Sequence, residues 1–289
     1  MWNLILNLIL TFVLLRSNNG AVLNKDVEII KLKSDAPILS LAADKGVVLA
    51  AHDRIFFYQK NADEIQPIAS ITKLMTALVF LENNPGWDVS YTITSGDQVE
   101  GGILNLFPGD KVRIKDLFKT SLIASDNGAT LALVHATGLD EKEFVKKMNE
   151  KARLLGLNRT RFIDSVGLSD QNVSTAREVA LLAKAALEKE EISQATESKD
   201  YSFTTLNGKS KKIESTDYLL FDSGKNAFQV VGGKTGYTDE AGYCFVGRFK
   251  DEGGREIISV VLNSSGKNER FKESKSLVNW VFQNYIWRP

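Results

Sequence analysis

Apolar and polar positions along the chain follow two different periods, and the changes from one to the other mark its elements. The first apolar run, Trp2 to Leu15, is interrupted only by Asn3, Asn7 and Thr11. At about 14 residues it is shorter than the roughly 17–25 that a membrane-spanning helix needs. It fits the apolar core of an export signal over residues 1–21, or the same segment kept as an N-terminal anchor, although no basic residue precedes it and Arg16 follows. The folded body is expected from Val22 onward. Short runs at Ile38–Ala42, Gly46–Ala50 and Arg54–Tyr58 have the length and bounding turns of strands. Pro67–Leu81 is apolar almost all the way round at helical spacing, which predicts a buried helix, and Asn83-Asn84-Pro85-Gly86 ends it.

Gly101-Gly102 and Pro108-Gly109 break the segment from Val89 to Val112 into small strands and loops. Helical spacing then recurs over Ile114–Ser121, Ala129–Ala136, Glu141–Leu155 and from Ser174 to Lys189, with Asp140 and Glu143 placed as a capping box. Strand patterns return beyond Tyr201, strongest at Gln229–Gly236, Tyr243–Phe249 and Glu256–Leu262. Asp251-Glu252-Gly253-Gly254 joins the last two as a hairpin, and an amphipathic helix, Arg270–Tyr285, follows. Strands at both ends with helices between them predict an α+β fold. One antiparallel sheet is built from both chain ends and flanked by helices, with a mainly helical subdomain inserted at about residues 85–200. Residues 22–289 are expected to form one domain around that sheet.

Composition narrows the chemistry. Lysine plus arginine and aspartate plus glutamate both number 36, so no net field or basic run points to nucleic acid. Cys244 is the single cysteine, which excludes an intramolecular disulfide and thiolate zinc clusters. His52 and His135 are the two histidines and form no H-E-x-x-H arrangement; with no G-x-S-x-G elbow, metal and Ser-His-Asp chemistry are both disfavoured. No metal or cofactor is expected. Cys244 lies on an apolar strand and reads as a small core residue. Trp280, Phe282, Tyr285 and Trp287 read as the core face of the last helix, with a membrane or glycan contact as the alternative.

One pair of residues stands out in the apolar helix. Ser70 and Lys73 are three positions apart and therefore share a face, one turn from each other. Burial disfavours the ammonium form, so a lysine there can accept a proton and activate the serine beside it. Two further polar clusters follow. Ser125-Asp126-Asn127 lies in a turn at a helix start, and Lys234-Thr235-Gly236 ends a strand, where the glycine admits a substrate backbone.

The order Ser-x-x-Lys, Ser-x-Asn, Lys-Thr-Gly is that of class A β-lactamases and penicillin-binding proteins. Longer stretches narrow the resemblance. Ile68–Ala77 and Lys234–Cys244, with Leu155-Gly156-Leu157, Thr160-Arg161-Phe162, Gly167-Leu168 and Ser174-Thr175-Ala176, are similar to the D-alanyl-D-alanine carboxypeptidase family of low-molecular-mass penicillin-binding proteins, serine peptidase family S11. The resemblance runs from residue 36 to residue 265. It implies a β-lactamase/transpeptidase-like fold and an enzyme of the cell envelope, exported to the periplasm or the outer face of the cytoplasmic membrane. Its partners would be peptidoglycan stem peptides ending in, or cross-linked through, D-alanine, with β-lactams as covalent inhibitors. Carried over residue by residue, Ser70 would be the nucleophile and Lys73 its base, Ser125 would relay a proton to the leaving amine, and Asn127 would hold Lys73 and the substrate amide. Lys234 and Thr235 would bind the carboxylate beside the scissile bond, next to Gly236, and the N–H groups of Ser70 and Tyr237 would form the oxyanion hole.

Asp126-Asn127-Gly128 departs from the usual spelling of the second motif and matches that of class A β-lactamases, which keeps a serine β-lactamase as the alternative and leaves the role of Asp126 open. Against it, residues Thr160 to Thr175 contain no glutamate to drive deacylation, and Asp164 and Asp170 are poor substitutes. A non-catalytic envelope protein that binds D-Ala-D-Ala termini is the alternative of a different class. The chain runs one helix past the final strand, a short form that resembles the D,D-endopeptidase branch more than carboxypeptidases carrying an extra C-terminal β-domain.

Overall fold

Runs of β-branched and aromatic residues without polar interruption suit strands covered on both faces. The computed structural model, which describes residues 31–99, 101–102, 104–222 and 227–286, places such runs at the centre. Five antiparallel strands, β1 (Lys45–Ala50), β2 (Phe56–Lys60), β3 (Phe228–Thr238), β4 (Gly242–Asp251) and β5 (Glu256–Ser264), form a sheet in the order β3-β4-β5-β1-β2. The described residues also form α1 (Thr72–Glu82), α2 (Ile114–Ile123), α3 (Asn127–Ala136), α4 (Glu141–Leu154), α5 (Ala176–Leu187), α6 (Glu190–Glu197) and α7 (Glu269–Asn284).

Alternate strand residues point to opposite faces, and both faces are apolar. Val47, Leu49, Val246, Ile258 and Val260 enter one core with Leu74, Leu78, Val179 and Leu182 from α1 and α5. Val48, Phe245, Phe249, Ile257 and Val261 enter a second with Leu277, Val278 and Val281 from α7. The sheet is thus sandwiched between helices, with β1 paired to β5 in the register Val47↔Val260. A small hairpin, Asp200–Thr204 with Ser210–Glu214, stands beside α2.

Three expectations need correction. Ile38–Ala42 forms no strand: Ile38 is fully exposed, and the Leu41 and Ala43 carbonyls accept from the Lys60 ammonium at 2.8 and 2.9 Å instead of from a neighbouring chain. The strand expected at Arg54–Tyr58 begins at Phe56 and runs to Lys60. Helix extends past Lys189, because the separate helix α6 follows; its buried face is only Ile192, Ala195 and Thr196, a single turn at helical spacing among polar residues. The segment expected as an export signal or anchor, and Trp287, lie outside the described residues. Cys244 is fully buried.

Candidate active site

The apolar helix does not start where its pattern does. Ala69–Ile71 form a 3-10 turn, and α1 begins at Thr72. Ala69 has φ 47°, a left-handed conformation uncommon for alanine. Ser70 therefore sits on a tight turn rather than on a helix face. Two glycines press against this turn. A Cβ on Gly167, whose φ is +85°, would lie 2.2 Å from the Ala69 carbonyl oxygen, and one on Gly236 would lie 2.8 Å from that of Ile68. The backbone that Gly236 admits is thus the turn carrying Ser70, not only that of a substrate.

Lys73 remains within reach of Ser70, as its spacing predicted. Its ammonium donates to Ser70 Oγ at 3.0 Å, Asn127 Oδ1 at 2.7 Å and the Val166 carbonyl at 2.6 Å, with the residue fully buried. Burial pushes its pKa down to about 7, against the opposing pull of Asp126 and Asp164. An amine poised near neutrality beside a hydroxyl is the arrangement that general-base activation of a nucleophile requires.

The second motif enters from the α2–α3 turn. Ser125, at φ 59°, has its Oγ 2.7 Å from Lys234 Nζ. Asn127 opens α3 and donates from Nδ2 to the Gly101 carbonyl at 2.9 Å while accepting from Lys73. Asp126 points the other way and is architectural. Its Oδ1 caps α3 by accepting from Ala129 N at 2.8 Å, and Oδ2 accepts from Asn105 N and Nδ2 at 2.6 and 3.0 Å. Burial raises its pKa against those hydrogen bonds.

A register shift between Val230 and Gly233, with Gly232 at φ +114°, bends β3 just before the third motif. Lys234, almost fully buried, donates to Ser125 Oγ and, at 3.1 Å, to the Thr235 carbonyl. Burial first, then Lys73 and Arg270, hold its pKa well below the usual lysine range. Thr235 Oγ1 lies 2.7 Å from Thr216 Oγ1. Tyr237 is half exposed on the rim and stacks on Tyr243, with centroids 4.3 Å apart. Ser70, Ser125, Asn127, Thr235, Gly236 and Tyr237, from motifs up to 164 positions apart, therefore line one cleft of about 490 Å³ together with Glu214, Thr216, Tyr218 and Lys267.

Several residues of this site carry no motif. Asp164, a poor substitute for a deacylating glutamate, has its carboxylate committed elsewhere. It accepts from the backbone N–H groups of Val166 at 2.8 Å, Gly167 at 2.5 Å and Ser169 at 2.8 Å, and so shapes the loop that presents the Val166 carbonyl to Lys73. Asn172 fixes the same loop, accepting from Ile163 N and donating to the Asp164 carbonyl and Thr72 Oγ1. Arg270, buried at the start of α7, donates to the Gly236 carbonyl at 3.0 Å and lines the cleft. Only the triad-like spacing of local motifs is readable in sequence; Thr216 and Arg270 meet Lys234-Thr235-Gly236 solely through the fold.

Comparison with known proteins assigns the chain to a family. The family profile described as D-alanyl-D-alanine carboxypeptidase matches residues 31–266. The D-alanyl-D-alanine endopeptidase of Haemophilus influenzae is 37% identical over 83% of this chain and 82% of its own. The D-alanyl-D-alanine carboxypeptidase DacF of Bacillus subtilis is 31% identical over 87% of this chain and 65% of its own. Among solved structures, penicillin-binding protein D2 of Listeria monocytogenes in its cefotaxime-bound form superposes with a TM-score of 0.73 at 33% identity, covering 85% of this chain and 99% of that one. With that match over most of its length, the chain belongs to the D-alanyl-D-alanine carboxypeptidase family and is a serine-type D,D-peptidase, a hydrolase of the cell envelope.

Proposed function

We propose that this peptidase is a D,D-endopeptidase, opening cross-links between peptidoglycan stem peptides. The observation that carries this is the lining of the cleft, where Tyr218 and Lys267 join Thr235, Gly236 and Arg270 and offer surface to a group larger than one D-alanine. A carboxypeptidase releases one D-alanine, which ends at its carboxylate. An endopeptidase releases a whole second stem, which needs room past that carboxylate. The similarity to a relative named endopeptidase points the same way.

In this reading Ser70 Oγ attacks the D-alanyl carbonyl carbon and its proton passes to neutral Lys73. The carbon–nitrogen bond then breaks, the leaving amine takes a proton through Ser125, and water releases the acyl group from Ser70. Asn127 orients Lys73 and the substrate amide, Lys234 and Thr235 take the carboxylate, and the N–H groups of Ser70 and Tyr237 hold the developing oxyanion, worth several kcal/mol in such sites. The protein works outside the cytoplasm and is acylated by β-lactams, as the cefotaxime-bound relative suggests. No helix of the described residues is long and apolar enough to cross a membrane.

The test uses protein from Val22 onward, with fluorescent penicillin and with cross-linked and uncross-linked muropeptides. The expected result is rapid labelling at Ser70, release over many minutes, and faster cleavage of the cross-linked dimer. Preference for the uncross-linked pentapeptide would make it a carboxypeptidase. Release within seconds would make it a β-lactamase, a reading disfavoured by the commitment of the Asp164 carboxylate to backbone N–H groups. A Ser70→Ala variant that kept full biological function would point to a binding protein.

A further inference from the structure

Asp217 belongs to no motif, yet it lies under the carboxylate-binding corner of the cleft. It is 3% exposed, and its Oδ1 accepts from Leu219 N at 2.9 Å. Its Oδ2 is buried without a hydrogen-bond partner, as is Arg270 Nε. That oxygen abuts β3: a Cβ on Gly233, the residue before Lys234, would lie 3.1 Å from it. The preceding residue, Thr216, holds Thr235 Oγ1. A buried carboxylate with an unmet acceptor is costly unless cations compensate it. Here Lys234 from β3 and Arg270 from α7 favour the charge without outweighing its burial, and Lys73 acts on Lys234 from α1. Glu214, on the same segment as Asp217, is exposed and paired with Lys212.

We propose that Asp217 is a positioning residue that sets the affinity of the carboxylate corner: ionised, it competes with the substrate's carboxylate for Lys234 and Arg270, and neutral, it leaves both cations to the substrate. The proposal rests on the reading above that this corner receives the carboxylate beside the scissile bond. Burial pushes the Asp217 acid up to about 7, against the pull of Leu219 N–H, Arg270 and Lys234, so the exchange falls within the working range of an envelope enzyme. The sign follows directly. As pH rises through that value Asp217 ionises, and the corner binds a carboxylate less well.

The experiment is the second-order rate of acylation by benzylpenicillin, which carries a carboxylate, measured from about pH 5.5 to about pH 8.5 for the wild type and Asp217→Asn. Asparagine keeps the acceptor for Leu219 N and removes the charge. The variant-to-wild-type ratio is expected to climb from about one at the acid end to about fivefold or more at the alkaline end, as removal of one nearby charge implies. The rising limb set by Lys73 is common to both proteins and cancels. A flat ratio would overturn the proposal, as would a ratio below one at high pH, which would show that Asp217 serves to keep Lys234 protonated. Should that variant not fold, Asp217→Ser, which also keeps an acceptor for Leu219 N without the charge, takes its place, and the same variant-to-wild-type ratio decides. A wild type that is not acylated at any pH would remove the underlying reading itself. Acylation without cleavage of cross-linked muropeptides would remove only the endopeptidase assignment.

Discussion

Hydrogen counting at Lys73 gives the site its direction. An ammonium has three N–H donors, and all three are taken, by Ser70 Oγ, Asn127 Oδ1 and the Val166 carbonyl. A neutral amine has two. Of the three partners only the Ser70 hydroxyl can turn and donate, so loss of a proton from Lys73 directs the Ser70 O–H at the vacated lone pair. Because the folded pKa is about 7, neutral Lys73 is the majority form above that value and the minority below it. Acylation by benzylpenicillin should therefore fall about tenfold per pH unit on the acid side and level off on the alkaline side; a rate unchanged down to pH 5 would exclude Lys73 as the base. Asp164 supports this geometry from behind. Asp164→Ala leaves the Val166, Gly167 and Ser169 N–H groups without their acceptor, and acylation should drop roughly 10- to 100-fold. If Asp164 were instead a deacylating base, the variant would label normally and release more slowly. Of these residues, Ser70, Lys73, Ser125, Asn127 and Lys234 are legible in sequence because each lies within a short motif. Asp164, Thr216 and Asp217 are not, since Asp164 acts through N–H groups of its own loop that no motif marks, and Thr216 and Asp217 reach the site only where their segment packs on β3.

Among the elements, the 3-10 turn of Ala69–Ile71 is where pattern and structure part. Its residues are apolar and buried like those of α1, so periodicity alone extends the helix over them. What stops the helix is the approach of β3 and the 164–169 loop, each through a glycine. Gly236→Ala, with 2.8 Å to the Ile68 oxygen, should displace the turn and lower the acylation rate about 100-fold, while shifting the melting temperature much less than a core truncation. Equal rates for variant and wild type would show that the turn can yield. The strand runs of β1, β4 and β5 were readable since each holds a stretch of apolar, largely β-branched or aromatic residues, at Val47–Ala50, Tyr243–Val246 and Val260–Leu262. Ile38–Ala42 misled because its composition suits a strand, whereas Ile38 is fully exposed and the Lys60 ammonium takes the Leu41 carbonyl and that of the following Ala43.

For the molecule as a whole, a sheet covered on both faces concentrates stability in β1, β4 and β5. Phe249 is fully buried and packs edge-on against Phe228 and Phe245 in the α7-side core. Phe249→Ala should cost about 3–5 kcal/mol, read as a lower denaturation midpoint with an unchanged slope. A loss below 1 kcal/mol would mean that this layer rearranges freely. Strands at both ends and helices between made the α+β class and the single sheet legible, but not which helix covers which face, since both faces are equally apolar.

The pairing of β1 with β5 has a consequence in time. Val47 meets Val260 across a gap of roughly 210 residues, and non-local pairings of that span are slow to form. Until the ribosome has delivered β5, β1 has no partner on that side, and neither core can close. The segments from Lys45 to Ser264 must thus all be in place before the sheet is native. The order of the strands therefore acts as a clock on folding, holding the N-terminal strand open until the last sheet strand has been made.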